Sequence, residues 1–212
     1  KARREAEKAE AAANRTEEAA QRAEDAERRI KELTEKKVVE DYHYALRGLE
    51  HAQEAWKSHG IGDQAWQEAF MLGFAPQSES LTIPIRQPGL INIKHRKLNP
   101  TTGRYFFELG GVSDMMNGLH FAFPEIGISD TIWVTEGEKK ALITFMHLDN
   151  YDQVISAPKV WDESIASVFG DSQINYIVDP DVNRETIWKN VQLFERGQVN
   201  IIRPLVKVDD GL

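Results

Sequence analysis

Two apolar strands, each stopped by acidic residues, constrain this chain more than any other feature. The stretch TIWVTEGEKKALITFMHLDN begins at Thr131, and INYIVDPDVN begins at Ile174. Ile132 to Val134 reads as a short strand that stops at Glu136-Gly137, with a helix starting near Glu138. Ile174 to Val178 reads as a second strand, stopped by Asp179-Pro180-Asp181. If both strands end at one edge of one sheet, Glu136, Asp179 and Asp181 stand together there. Open α/β sheets hold ligands outside the carboxyl ends of their strands. A carboxylate cluster in that position suits a hard divalent cation such as Mg²⁺ or Mn²⁺, which takes oxygen ligands.

The surrounding pattern extends this into an α/β unit. Strands are expected at 132–135, 153–156, 174–178 and 199–202, with helices at 138–148, 162–169 and 184–196. Alternation of that kind implies a mostly parallel four-stranded sheet with flanking helices and right-handed crossovers. Upstream, Leu81 to Ile85, Leu90 to Leu98 and Arg104 to Leu109 read as a small antiparallel sheet turned at Pro88-Gly89. Before it, Val39, Tyr42, Leu46, Leu49, Ala52 and Trp56 recur at three- and four-residue steps. They give one helix from Val38 to His59 a core-facing stripe. Asp63 is positioned to cap a short helix running to Leu72, ended by Gly73-Phe74-Ala75-Pro76. Gly110 to Asp130 reads as a loop-rich connector. The expected organisation is a charged helical extension over 1–36, a helical and antiparallel-sheet subdomain over 37–130 and the α/β unit over 131–212.

Charge and composition limit the partners. Of 212 residues 41% are hydrophobic, enough for a core. There is no cysteine, which removes disulfides and Cys-type zinc sites and fits a reducing compartment. No apolar run approaches the ~20 residues of a membrane span. Net charge is −8, whereas nucleic-acid binders are often basic. The first 36 residues hold ten basic and ten acidic side chains, so the acidic excess lies downstream. Within that acidic part, one basic cluster stands out. INIKHRKL puts Lys94 and Arg96 on one strand face and His95 and Lys97 on the other, with Arg86 and Arg104 near in sequence. His95 has no partner at metal-ligand spacing and reads as a packing or surface residue.

TEGEKKAL (Thr135 to Leu142), followed at a distance by Asp179-Pro180-Asp181, resembles the TOPRIM domain. That module occurs in bacterial-type primases, topoisomerases and some nucleases, and the form here is similar to phage and plasmid replication primases. The resemblance runs from about Leu81 to the C-terminus. It implies a TOPRIM-like fold and a primase catalytic core that makes short RNA primers from NTPs on single-stranded DNA with Mg²⁺ (or Mn²⁺). It implies Glu136, Asp179 and Asp181 as catalytic residues and metal ligands, with Asp209 and Asp210 as further ligands. It assigns Arg86, Lys94 and Arg96 to phosphate contact, and it suggests a replicative helicase partner and a cytoplasmic setting. A nuclease, or an inactive DNA- or helicase-binding module, is the alternative within the same resemblance.

Two positions depart from the family. Many primases carry an acidic residue four positions after the motif Glu, where this chain has Lys140. Lysine there removes a metal ligand and adds a phosphate-seeking cation. Val182-Asn183-Arg184 stands where a small residue and then Arg often follow the Asp pair.

Overall fold

The computed structural model describes residues 37–204 except 88–89, 102, 109–117, 124–127 and 149–151, together with Gln21, Glu24 and Arg28, which are helical. The rest of the expected extension over 1–36 lies outside the described residues, as do Asp209 and Asp210.

Three short helices lead. They are α1 (Val38–Arg47), α2 (Glu50–Ser58) and α3 (Gln64–Ala69). The single helix expected from Val38 to His59 is therefore two. Gly48 caps α1, and Leu49 turns extended at φ −127°, ψ 99° before α2 begins. Glycine is a poor helix former, and the break falls beside it. The apolar stripe survives because Leu46, Ala52 and Trp56 all enter one core. Asp63 caps α3 as its position foretells, accepting from the Ala65 amide at 2.8 Å.

The first sheet is antiparallel in the order β1-β2-β3-β4. Its strands are β1 (Gly73–Ala75), β2 (Ser80–Gln87), β3 (Leu90–Lys97) and β4 (Tyr105–Phe107). β1 falls where a helix end was expected. Gly73 makes its pairing possible, because a Cβ there would lie 2.6 Å from Thr82 Oγ1 and 2.7 Å from the Tyr42 carbonyl carbon. In this register Ile83 pairs with Lys94 and Leu81 with Arg96, while Thr82 pairs with His95. Lys94 and Arg96 thus share the face of Leu81, Ile83 and Ile85, and His95 takes the other.

The second sheet has five strands in the order β5-β7-β6-β8-β9. They are β5 (His120–Phe121), β6 (Thr131–Glu136), β7 (Gln153–Ala157), β8 (Gln173–Ile177) and β9 (Val199–Ile202). The four expected strands run parallel. β5 adds an antiparallel edge beside β7, from a segment read as connector, so the sheet is mixed rather than four-stranded. α4 (Glu138–Met146), α5 (Glu163–Phe169) and α6 (Arg184–Val191) make the crossovers. Asn183 caps α6 by accepting from the Thr186 amide at 2.8 Å.

Two apolar clusters fill the interior. One joins α1–α3 and the first sheet to Ala141, Leu142, Ile143 and Phe145 of α4. Within it Trp66, Phe70, Phe123 and Phe145 meet ring to ring at centroid separations of 5.0–6.2 Å. The other lies under α5 and α6, around Trp161, Phe169 and Tyr176. No helix among the described residues is long and apolar enough to cross a membrane.

Candidate active site at the carboxyl edge of the mixed sheet

β6 and β8 are direct neighbours in parallel, with Val134 opposite Tyr176. Glu136 lies two residues beyond one partner and Asp179 three beyond the other, so both strand ends reach the same edge. The turn from β6 into α4 passes through Gly137 at φ +91°, ψ 142°, a conformation open almost only to glycine. No atom lies within 4 Å of where a Cβ would stand, so backbone conformation, not crowding, demands glycine.

Two ion pairs occupy the first turn of α4. Glu138 Oε2 receives Lys94 Nζ of β3 at 2.7 Å, with the two side chains 14% and 20% exposed. The Lys94 ammonium also lies over the rings of Tyr105 at 5.1 Å and Phe107 at 5.7 Å. Lys140 Nζ donates to Asp179 Oδ2, and these side chains are 14% and 10% exposed. Each lysine crosses from one element to another to meet its carboxylate.

Tyr176 lies beneath the carboxylates. Burial raises its phenol above the usual range, the Asn190 hydrogen bond opposes this, and the charges of Glu136 and Asp179 raise it further. Asn190 is fully buried and donates to Tyr176 Oη at 3.2 Å and to the Lys159 carbonyl at 3.0 Å. Arg203, just past β9, fastens the turn after β8 by donating to the carbonyls of Val182 at 2.5 Å and Pro180 at 3.3 Å.

His120 of β5 is 1% exposed. Its Nδ1 accepts from the Arg86 amide at 2.9 Å, which puts the ring proton on Nε2. Nε2 has no hydrogen-bond partner among the described residues. Burial holds the imidazole pKa down at about 4; Glu138 opposes this, and the charges of Arg86 and Lys94 add to it. The ring is neutral at pH 7.

The sequence-derived site residues do not all come together. Glu136 and Asp179 come together beside Tyr176. Asp181 is exposed on the turn beyond them. No group of three His, Cys, Asp or Glu among the described residues is arranged to hold a metal ion. The Asp179 carboxylate is turned to Lys140 instead. Of the basic residues, Lys94 and Arg96 share a face and flank Tyr105, with Arg96 5.9 Å from its centroid. Arg86 alternates onto the opposite face, where its guanidinium donates to the Phe70 carbonyl at 3.0 Å. His95 is a packing residue: it stacks on Phe106 at 4.4 Å and binds Glu108 and Ser80 at 2.5 and 2.8 Å. Sequence reasoning missed Tyr176 and His120 altogether. Only Lys140 carried a signal, as a basic residue at an acidic motif position.

No protein-family model matches the chain, and no curated protein matches it. Solved structures do match. The DnaG catalytic core aligns with TM-score 0.65 at 14% identity, over 82% of this chain and 72% of that one. The Aquifex aeolicus primase, with its zinc-binding and RNA polymerase domains, aligns with TM-score 0.64 at 16% identity, over 82% and 55%. A DnaG catalytic domain bound to single-stranded DNA aligns with TM-score 0.61 at 14% identity, over 83% and 72%. At these identities the likeness is one of fold.

Proposed function

Starting from the fold of primase catalytic cores, we propose that this chain is a DNA primase core that makes short RNA primers from NTPs on single-stranded DNA. One observation carries the reading: β6 and β8 are parallel neighbours, so Glu136 and Asp179 share an edge of the sheet. Support comes from the similar catalytic domain bound to single-stranded DNA. Phosphoryl transfer asks a protein chiefly for positioning and charge neutralisation. Lys94, Arg96 and Lys140 are the cations at hand for template or nucleotide phosphates, with Arg86 on the far face as a weaker candidate. Carboxylates at the edge orient what the cations bind.

Reactions of this class use Mg²⁺ or Mn²⁺ to neutralise charge developing on phosphate oxygens. The donors here are all oxygen, which matches such an ion in kind. Their arrangement does not fit a resident ion, because Asp179 is engaged by Lys140 and no group of three such side chains among the described residues could hold one. Asp209 and Asp210 remain proposed as further ligands. The TOPRIM-like character, the boundaries at 36 and 130, a helicase partner and a cytoplasmic setting in a bacterial or phage-infected cell belong to the same proposal.

The test is a labelled single-stranded template with NTPs and Mg²⁺ or Mn²⁺. Extension products are expected, and Asp179→Asn or Asp181→Asn abolishes them while circular dichroism stays native. Full synthesis by both variants defeats the reading. Shortening of the template indicates a metal-dependent nuclease. Binding with neither outcome supports a module that engages DNA or a helicase without catalysis, and the Lys140–Asp179 pair is the observation that favours this second reading.

A further inference from the structure

We infer that Lys140 is a tethered counter-ion that takes the place of a divalent cation at Asp179, so the carboxyl edge of the mixed sheet holds no metal at rest. Lys140 is the third residue of α4, in the turn where the helix dipole favours acidic side chains and disfavours basic ones. Solvation does not compensate, since the side chain is only 14% exposed. Its favourable partner is Asp179, itself 10% exposed and near enough to Tyr176 for its charge to raise the phenol's pKa. A carboxylate so withdrawn from water needs a cation close by. Most chemistry of this type would bring a metal ion; here an ammonium is built in.

The two cations exclude one another. A hard divalent ion sits about 2.0–2.6 Å from a carboxylate oxygen. The ammonium contacts Asp179 Oδ2 itself, so an added ion would meet both its volume and its charge. The lysine cannot drift off with its helix either. Ala141 and Leu142, the next two residues, are 0% and 2% exposed and lock α4 into the core. Only the Lys140 side chain is free to yield. Any divalent ion that acts here must therefore arrive with an anionic ligand able to draw the ammonium away, as a nucleotide's phosphates could. The pairing holds whether or not the chain makes primers, so metal binding and not synthesis is the readout.

The experiment titrates Mn²⁺ into the intact chain and follows free Mn²⁺ by electron paramagnetic resonance. Wild type, Asp179→Asn, Lys140→Met and the double variant are compared, without nucleotide. Methionine keeps the unbranched stem and removes the charge; Lys140→Leu, which also removes the charge and adds no ligand, serves if the methionine variant does not fold. Wild type and Asp179→Asn should bind alike. The Lys140 variant should bind Mn²⁺ about tenfold more tightly or better, and the double variant should lose that gain. Binding by wild type that Asp179→Asn abolishes overturns the inference. So does a folded Lys140 variant that binds no better than wild type.

Discussion

His120 makes the acid stability of this fold predictable. The imidazole is 1% exposed, and its pKa is lowered from 6.5 to about 4, chiefly by burial. Between those values the unfolded chain takes up a proton that the folded chain refuses. Stability is therefore complete above pH 6.5 and falls as the solution is acidified toward pH 4. Roughly two pH units of that interval lie above pH 4.5, and each is worth about 1.4 kcal/mol, so acidification from pH 7.5 to 4.5 removes about 2.5 kcal/mol. For a chain of this length that is a fall in Tm of about 5–10 °C. The perturbation is His120→Gln, whose side-chain carbonyl can still accept from the Arg86 amide. Thermal melts of both proteins at both pH values give the comparison. Titrating carboxylates act equally on the two and cancel in the difference. Wild type should lose more Tm on acidification than the variant by that 5–10 °C. Equal losses would show that the ring does not titrate against burial, and the reasoning about its environment would be wrong.

Three further outcomes follow from geometry. Gly73→Ala forces a Cβ to within 2.8 Å of Thr82 Oγ1 and of Tyr42 atoms, so urea unfolding should show a loss of about 1–3 kcal/mol, and an unchanged midpoint contradicts the close packing of β1. Asn183→Ala removes the cap of α6 and should cost about 1 kcal/mol, with faster amide exchange concentrated at Thr186, whose N–H Asn183 now accepts. If the chain is the primase core proposed above, Arg96→Ala should weaken single-stranded DNA binding and lower the steepness of its salt dependence by roughly one counterion; an identical salt slope removes Arg96 from the interface.

Much of the α/β part was legible because its strands are apolar runs closed by charged or turn-forming residues. Ile132, Val134, Ile174 and Val178 are buried as the pattern requires. Asp63 was legible as a cap because a side-chain acceptor before a helical run has one obvious use. β1 was not, since Gly73 reads equally as a helix stop, and its role depends on Tyr42 and Thr82 pressing against it. β5 has two residues, too few to show a period. The site was half legible. Edge adjacency of Glu136 and Asp179 follows from two neighbouring strands, but their company does not. Lys94 meets Glu138 across 44 residues, and Lys140 meets Asp179 across 39. Long-range charge pairing leaves no periodic trace, and a lone histidine in a glycine-rich stretch leaves none either.

α4 is gripped on both sides. Its apolar residues Ala141, Leu142, Ile143 and Phe145 are buried in a cluster that also takes in Phe70, Leu81 and Ile83 of the amino-terminal layers and Val154 of β7. A hinge at this helix would have to tear that cluster open. Exchange of partners at Asp179 is left to the torsions of one lysine side chain, itself 14% exposed and ion-paired, and not to a movement of the helix. The tempo of any event at this edge would then be set by release of that one ammonium, and not by breathing of the scaffold.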